Sequence, residues 1–260
     1  MKMNAEKQAE ILNLLDFERR TVIYPGVTRS KDTEIVRDIS EDGKSGEIVY
    51  SSCSEIGIDR ALKHEIQRSR EERYNLEWKV YGHDLPPCLS EHLVLAGFTA
   101  GAKEAFLVLV TSDESVKRFA IGDADIRRIT SREGLSGYQG IIEEVRGKSC
   151  EREIEQYGFM LENHPDSISL YVAYVDGEPA ACGRVYFCKE SKFAALYGGN
   201  TRERFRRRGL FTQIVAARTQ EALSRGIVNI CVDALPTSEP ILKKQGFEKV
   251  TDTQPFRFSE

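Results

Sequence analysis

The first clear pattern along the chain is helical. Between Asn4 and Arg20, Ile11, Leu12 and Leu15 recur at a spacing that gathers them on one face of an amphipathic helix. The residues that follow, through Gly43-Lys44-Ser45-Gly46, are polar and turn-prone. They lead to a short strand-like run, Glu47 to Cys53, a helical stretch from about Ile56 to Tyr74, and a second strand, Glu77 to Gly82. After Asp84-Leu85-Pro86-Pro87 comes a helical run, Leu89 to Ala96, stopped at Gly97-Phe98, and then the strand Ala105 to Val110. Glycine suits the helix stop because it adopts the left-handed backbone conformation without a steric penalty.

The second half predicts helices from about Tyr138 to Arg146 and Cys150 to Glu162, then a hairpin of Ile168 to Val175 and Ala180 to Cys188. Asp176-Gly177 supplies its turn. A third strand, Phe193 to Gly199, enters a basic loop, Arg202 to Arg208, and a helix from Gly209 to Ser224 follows. A fourth strand, Ile227 to Asp233, leads through Pro236 and Pro240 into a helix that ends at Gly246-Phe247. The strand, the Leu-Pro and the Gly-Phe of each half stand in the same order, with Trp78 to Gly82, Leu85-Pro86 and Gly97-Phe98 matching Ile227 to Cys231, Leu235-Pro236 and Gly246-Phe247. This order predicts two mixed α/β domains in tandem, 1–115 and 120–260, with a boundary near Ser112 to Asp123.

A chain of 260 residues has room for two such domains, and 40% hydrophobic residues suffice for two cores. The net charge of −4 argues against a protein built to grip nucleic acid over a broad surface, so any basic site is local. Charged residues interrupt Met1 to Arg20, which excludes a signal peptide or membrane span there and makes a cytoplasmic location the expectation. The six cysteines form no CxxC pair and have no histidine at ligand spacing. Packing thiols, and neither a metal site nor a disulfide framework, are expected.

The stretch that carries chemistry is Tyr197-Gly-Gly-Asn-Thr-Arg-Glu-Arg-Phe-Arg-Arg-Arg-Gly-Leu-Phe-Thr212. A strand runs into a loop of donors and then into a helix, whose first backbone N–H groups and positive dipole end can hold a pyrophosphate. Gly209 lets a ligand approach the backbone, and the arginines add charge-assisted hydrogen bonds. Read blandly, the same arginines are a solvated charge run or a nucleic-acid contact.

Arg206, Arg207, Arg208, Gly209, Leu210 and Phe211 resemble the coenzyme A signature of the GNAT superfamily of N-acetyltransferases, Gln/Arg-x-x-Gly-x-Gly/Ala. Phe211 departs from it, standing where a small residue is usual. Ile241-Leu-Lys-Lys-Gln-Gly-Phe247 is similar to the family's last helix turning into its next strand. The first half shares only the order of elements. Its loop-to-helix junction, Cys53 to Gly57, has no arginine cluster and carries a carboxylate, so it is expected not to bind the cofactor.

The resemblance implies acetyl-CoA as co-substrate, held by Arg206 to Thr212, with Asn200 and Thr201 offering backbone contacts to the pantetheine arm. It implies transfer of acetyl to a primary amine, on a small molecule or a protein, by direct attack and without a metal. Asp233 and Glu239 are the candidate proton acceptors. Leu242 stands where the family often has a tyrosine that protonates the leaving thiolate. Tyr186 and Tyr197 read as packing residues, and Arg184 as either a strand-edge ion-pair partner or a carboxylate ligand. A non-catalytic acyl-CoA-binding or regulatory protein is the alternative.

Overall fold

A computed structural model of the chain describes residues 3–32, 34–111 and 124–259. The chain divides into two compact units. The first comprises Met1–Leu107, Asp233–Glu239 and Glu248–Glu260, and the second comprises Val108–Val232 and Pro240–Phe247. The expected boundary at Ser112 to Asp123 lies outside the described residues. Two segments late in the sequence thus belong to the first unit, which a single cut near residue 115 does not convey.

In the first unit, helix α1 (Ala5–Thr21) is capped by the Asn4 side chain, which accepts from the Lys7 amide. Strands β1 (Val27–Lys31), β2 (Ile35–Ser40) and β3 (Ser45–Ser51) form an antiparallel meander. Helix α2 (Ile58–Glu72) then returns the chain to β4 (Asn75–Tyr81), which lies parallel to β3. After α3 (Leu89–Leu95) and the short β5 (Thr99–Ala100), β6 (Glu104–Val110) runs from the first unit into the second. Trp78 is fully buried among Ile48, Ile58, Leu62, Leu89 and Phe256.

In the second unit, β7 (Asp125–Ile129) pairs antiparallel with β8 (Ile168–Val175). Helices α4 (Leu135–Arg146) and α5 (Glu151–Asn163) lie between them in sequence and bury Tyr138, Ile141, Ile142, Tyr157 and Leu161 against β8 and β9 (Glu178–Tyr186). The β8–β9 turn has Asp176 at φ 51° and Gly177 at φ 78°, the left-handed pair that a two-residue hairpin turn requires. Antiparallel to β9 runs β10 (Phe193–Thr201), then α6 (Leu210–Ser224) and β11 (Asn229–Ala234), whose ladder with β10 is parallel. A one-and-a-half-turn helix, α7 (Glu239–Lys244), precedes β12 (Glu248–Phe258), and β12 belongs to the first unit, where it pairs antiparallel with β4 and β5.

Each half therefore contains one strand–helix–strand turn with parallel strands, β3–α2–β4 and β10–α6–β11. No described helix is long and apolar enough to cross a membrane.

Candidate functional site

Strand β10 changes partners along its length. Phe193 to Leu196 pair with Asn229 to Val232 of β11, and the ladder stops there. β10 runs on to Thr201 paired only with β9, and its register slips between Tyr197 and Asn200. Gly198, inside the slip, has φ 60°. The strands part at this point, so the β10 edge beyond Leu196 has backbone groups with no β11 partner, which an extended ligand can meet by adding as a strand. Asn200 and Thr201 lie on this stretch, opposite Cys182 and Ala181, and the Asn200 side chain donates to the Gly198 carbonyl at 2.9 Å.

A single helical turn at Glu203–Phe205 leads from β10 to α6. The arginines divide into two groups here. Arg202 lies 3.1 Å from both Glu144 and Glu178, and Arg204 also reaches Glu178. Arg206, Arg207 and Arg208 are exposed and have no carboxylate partner among the described residues. Arg206 donates only to the Thr201 carbonyl, at 3.3 Å.

Arg207 at φ 63° and Gly209 at φ 76° turn the backbone into α6. Gly209 provides no side-chain cap, and no acidic residue stands in the first turn. The first i to i−4 bond runs from Gln213 to Gly209, which leaves the N–H groups of Leu210, Phe211 and Thr212 ahead of the intrahelical ladder. A Cβ placed on Gly209 would meet no atom within 4 Å, so the approach to these amides is open. The donors, the room and the unpaired cations together fit a pyrophosphate.

Phe211, the departure from the signature, turns its ring onto β10. A Cβ on Gly199 would lie 2.6 Å from that ring, so the strand carries the small residue that the loop lacks.

The proposed proton acceptors are both in the first unit. Asp233, near the end of β11, is ion-paired with Lys79 of β4, and its side chain is 9% exposed. Its second oxygen, Oδ1, is buried without a hydrogen-bond partner. Glu239 opens α7 and is half-buried. Leu242 is a buried packing residue. Val228, inside the strand expected from Ile227, is half exposed because the strand begins only at Asn229.

Tyr186 and Tyr197 pack edge to face at 5.6 Å, but around a cation. The Arg184 guanidinium lies 4.9 Å from the Tyr157 ring and 5.6 Å from each of the other two, with Glu153 at 3.8 Å. Burial works to lower the Arg184 pKa, but Tyr186, Tyr138 and Tyr157 around it outweigh burial and raise it well above its ordinary value. All six cysteines are free thiols, and five are buried.

The corresponding strands of the first unit also part. β3 pairs with β4 only from Ser45–Asn75 to Ile48–Trp78, and both strands continue. Here the opening is filled from within. Arg19 of α1 donates to the Val49 carbonyl at 2.7 Å and bidentately to Asp84, whose carboxylate accepts from the Tyr81 amide at 2.9 Å. Asp16, His83 and Asp84 bring three ligand atoms within 4.8 Å of one another, but the guanidinium already lies on both carboxylates. The following helix, α2, is preceded by Cys53 to Gly57 without an arginine.

Sequence reasoning passed over Arg19 and over Arg218, a buried arginine of α6 that donates to carbonyls of β9 and β10. A signal for the second exists, since Arg218 falls on the apolar stripe Leu210, Ile214, Ala222.

Residues 135–247 match the model of the acetyltransferase (GNAT) family. None of the curated proteins matches the chain in sequence. Among solved structures, a GCN5-related N-acetyltransferase from Kribbella flavida is 15% identical with a TM-score of 0.69, over 100% of this chain and 97% of its own. A functionally unknown conserved protein from Staphylococcus epidermidis is 17% identical with a TM-score of 0.65, over 90% and 95%. A tandem GNAT protein from the clavulanic acid biosynthesis pathway is 13% identical with a TM-score of 0.60, over 99% and 96%. The parted strands and the uncapped helix agree with these likenesses: residues 135–247 match the acetyltransferase (GNAT) family model, and the two halves of the chain have the fold of the tandem GNAT structure.

Proposed function

We propose that the protein transfers an acetyl group from acetyl-CoA to a primary amine by direct attack, using one cofactor site, in the second unit. The observation that carries this reading is the free amino terminus of α6, approached through three arginines that no carboxylate among the described residues neutralises. Acetyl-CoA, when bound, supplies a thioester to which the amine lone pair adds with release of the thiol. The amides of Leu210, Phe211 and Thr212 and the side chains of Arg206, Arg207 and Arg208 hold the pyrophosphate. The backbone at Asn200 and Thr201 pairs with the pantetheine arm. Asp233 and Glu239 are the carboxylates proposed to take the amine proton, directly or through water.

The test has two arms. Calorimetry with CoA and mass spectrometry of the purified protein report binding, and an amine panel with acetyl-CoA reports turnover. Binding with turnover of at least one amine supports the reading, whereas absence of CoA binding overturns it. Leu242 favours a second reading, a CoA-binding protein without turnover, because a buried aliphatic side chain cannot protonate a departing thiolate. Binding in the first arm with no amine consumed in the second would select that alternative.

A further inference from the structure

Along α6, Leu210, Ile214, Arg218 and Ala222 recur every fourth residue and share one buried face. A guanidinium therefore stands where the helix pattern calls for an apolar side chain. Arg218 is 2% exposed and has no ion-pair partner among the described residues. Burial, with Arg184 adding repulsion, pulls its pKa down to about 10. A lone buried cation is among the costliest groups a core can hold, and an apolar side chain of similar volume would fill the space with less penalty.

Its hydrogen bonds show what an apolar side chain cannot do. Nε donates to the Ile214 carbonyl at 3.1 Å, one turn back in its own helix. Nη1 donates to the Arg184 carbonyl of β9 at 2.9 Å and to the Tyr197 carbonyl of β10 at 3.1 Å. Arg184 and Tyr197 sit opposite each other, at the last regular pair before β10 slips register. The opposing strand is shaped to admit the group, since a Cβ on Gly183 would lie 2.9 Å from the Arg218 Cζ and 2.8 Å from Ile214. Peptide groups are planar and trans, so fixing the Tyr197 carbonyl also fixes the Gly198 N–H in the opposite direction.

We propose that Arg218 is a positioning residue for acyl transfer: it clamps the β9 and β10 carbonyls where β10 leaves β11 and so sets the course of the Tyr197 to Thr201 backbone. The proposal rests on the reading that this backbone receives the pantetheine arm. Arg218 itself touches neither cofactor nor acceptor. Its effect is confined to the arm, because the pyrophosphate end is held two turns away at the start of the same helix.

That separation supplies the test. Acetyl-CoA and adenosine 3′-phosphate 5′-diphosphate, which lacks the pantetheine arm, are titrated by calorimetry into the parent protein, Arg218→Met and Arg218→Lys. The expected result is that Arg218→Met binds acetyl-CoA about tenfold more weakly or worse but the diphosphate as the parent does, with Arg218→Lys recovering most of the loss. Equal weakening of both ligands would show that Arg218 only supports the fold, and unchanged acetyl-CoA binding in both variants would show that it positions nothing. Should Arg218→Met fail to fold, Arg218→Gln, which cannot reach both carbonyls, takes its place and is judged by the same contrast between the two ligands. A parent protein that binds neither ligand overturns the cofactor site itself, a failure distinct from the others.

Discussion

At Gly209 the backbone is left-handed and the space beside it is open, so the residue serves conformation and approach at once. Gly209→Val strains the turn, since a β-branched side chain disfavours positive φ by about 1–2 kcal/mol, and puts methyl groups over the α6 amides. CoA affinity measured by calorimetry is expected to fall at least ~10-fold with the far-ultraviolet spectrum unchanged. The signature made this residue legible before the structure. Its neighbour Phe211 was legible only as an exception, because the glycine that receives its ring, Gly199, lies across a loop, and no local pattern couples the two positions. The proposed proton acceptors stand further from legibility. Asp233 is bound to Lys79, a partner 154 residues away in sequence. With an amine that the panel identifies, Asp233→Asn and Glu239→Gln are expected to lower kcat by ~10²-fold or more while changing the KM for acetyl-CoA less. Parent rates for both variants across the pH range would remove the two carboxylates from the reaction.

Among the elements, the two strand openings have opposite fates. The second unit leaves β10 available, and the first spends Arg19 and Asp84 on the groups that its parted strands expose. One CoA per chain is therefore expected in titration, and two equivalent sites would contradict it. Arg19→Ala should leave that stoichiometry at one, because α2 still lacks an arginine loop. It should cost about 3–5 kcal/mol in urea unfolding, since Asp84 would be left buried and unpaired. Hydrophobic periodicity revealed most helices and the strands of both parallel turns. It missed β1 and β2, and the reason lies in their side chains. Arg29 pairs with Asp38 across the two strands, and Arg37 reaches the buried Glu65 of α2 at 2.5 Å, so these strands are held by charges that read as loop. β7, with Asp125, Arg127 and Arg128, was hidden in the same way. The hairpin, by contrast, announced itself through Asp-Gly and apolar flanks.

For the molecule as a whole, the modest net charge conceals a strained acidic row. Asp38, Glu47 and Glu77 align across β2, β3 and β4. Burial above all pushes the Glu47 carboxyl up to about 7, with Lys79 opposing and Glu77, Asp38 and Asp233 adding repulsion. Burial likewise raises Glu104 to about 6. A carboxyl with a raised pKa in the folded state takes up protons on folding, so its favourable contribution is present at low pH and is lost as pH climbs through about 4.5 to 7. Glu47→Gln should flatten the loss of stability between pH 5 and 8, by on the order of 1–2 kcal/mol after solvent screening, as read from urea midpoints. A parent and variant with parallel pH profiles would refute the assignment.

The pairing of β12 with β4 has a consequence for how the protein is made. A ribosome delivers β4 early and β12 only after all of α4 to α7, so the nascent chain carries an open β4 edge throughout synthesis of the second unit. Exposed strand edges recruit other strands, and here the correct partner is the one that arrives last. Of the two units, the one that is synthesised earlier is thus the one whose sheet closes later, and during this interval its open edge is where strands can mispair.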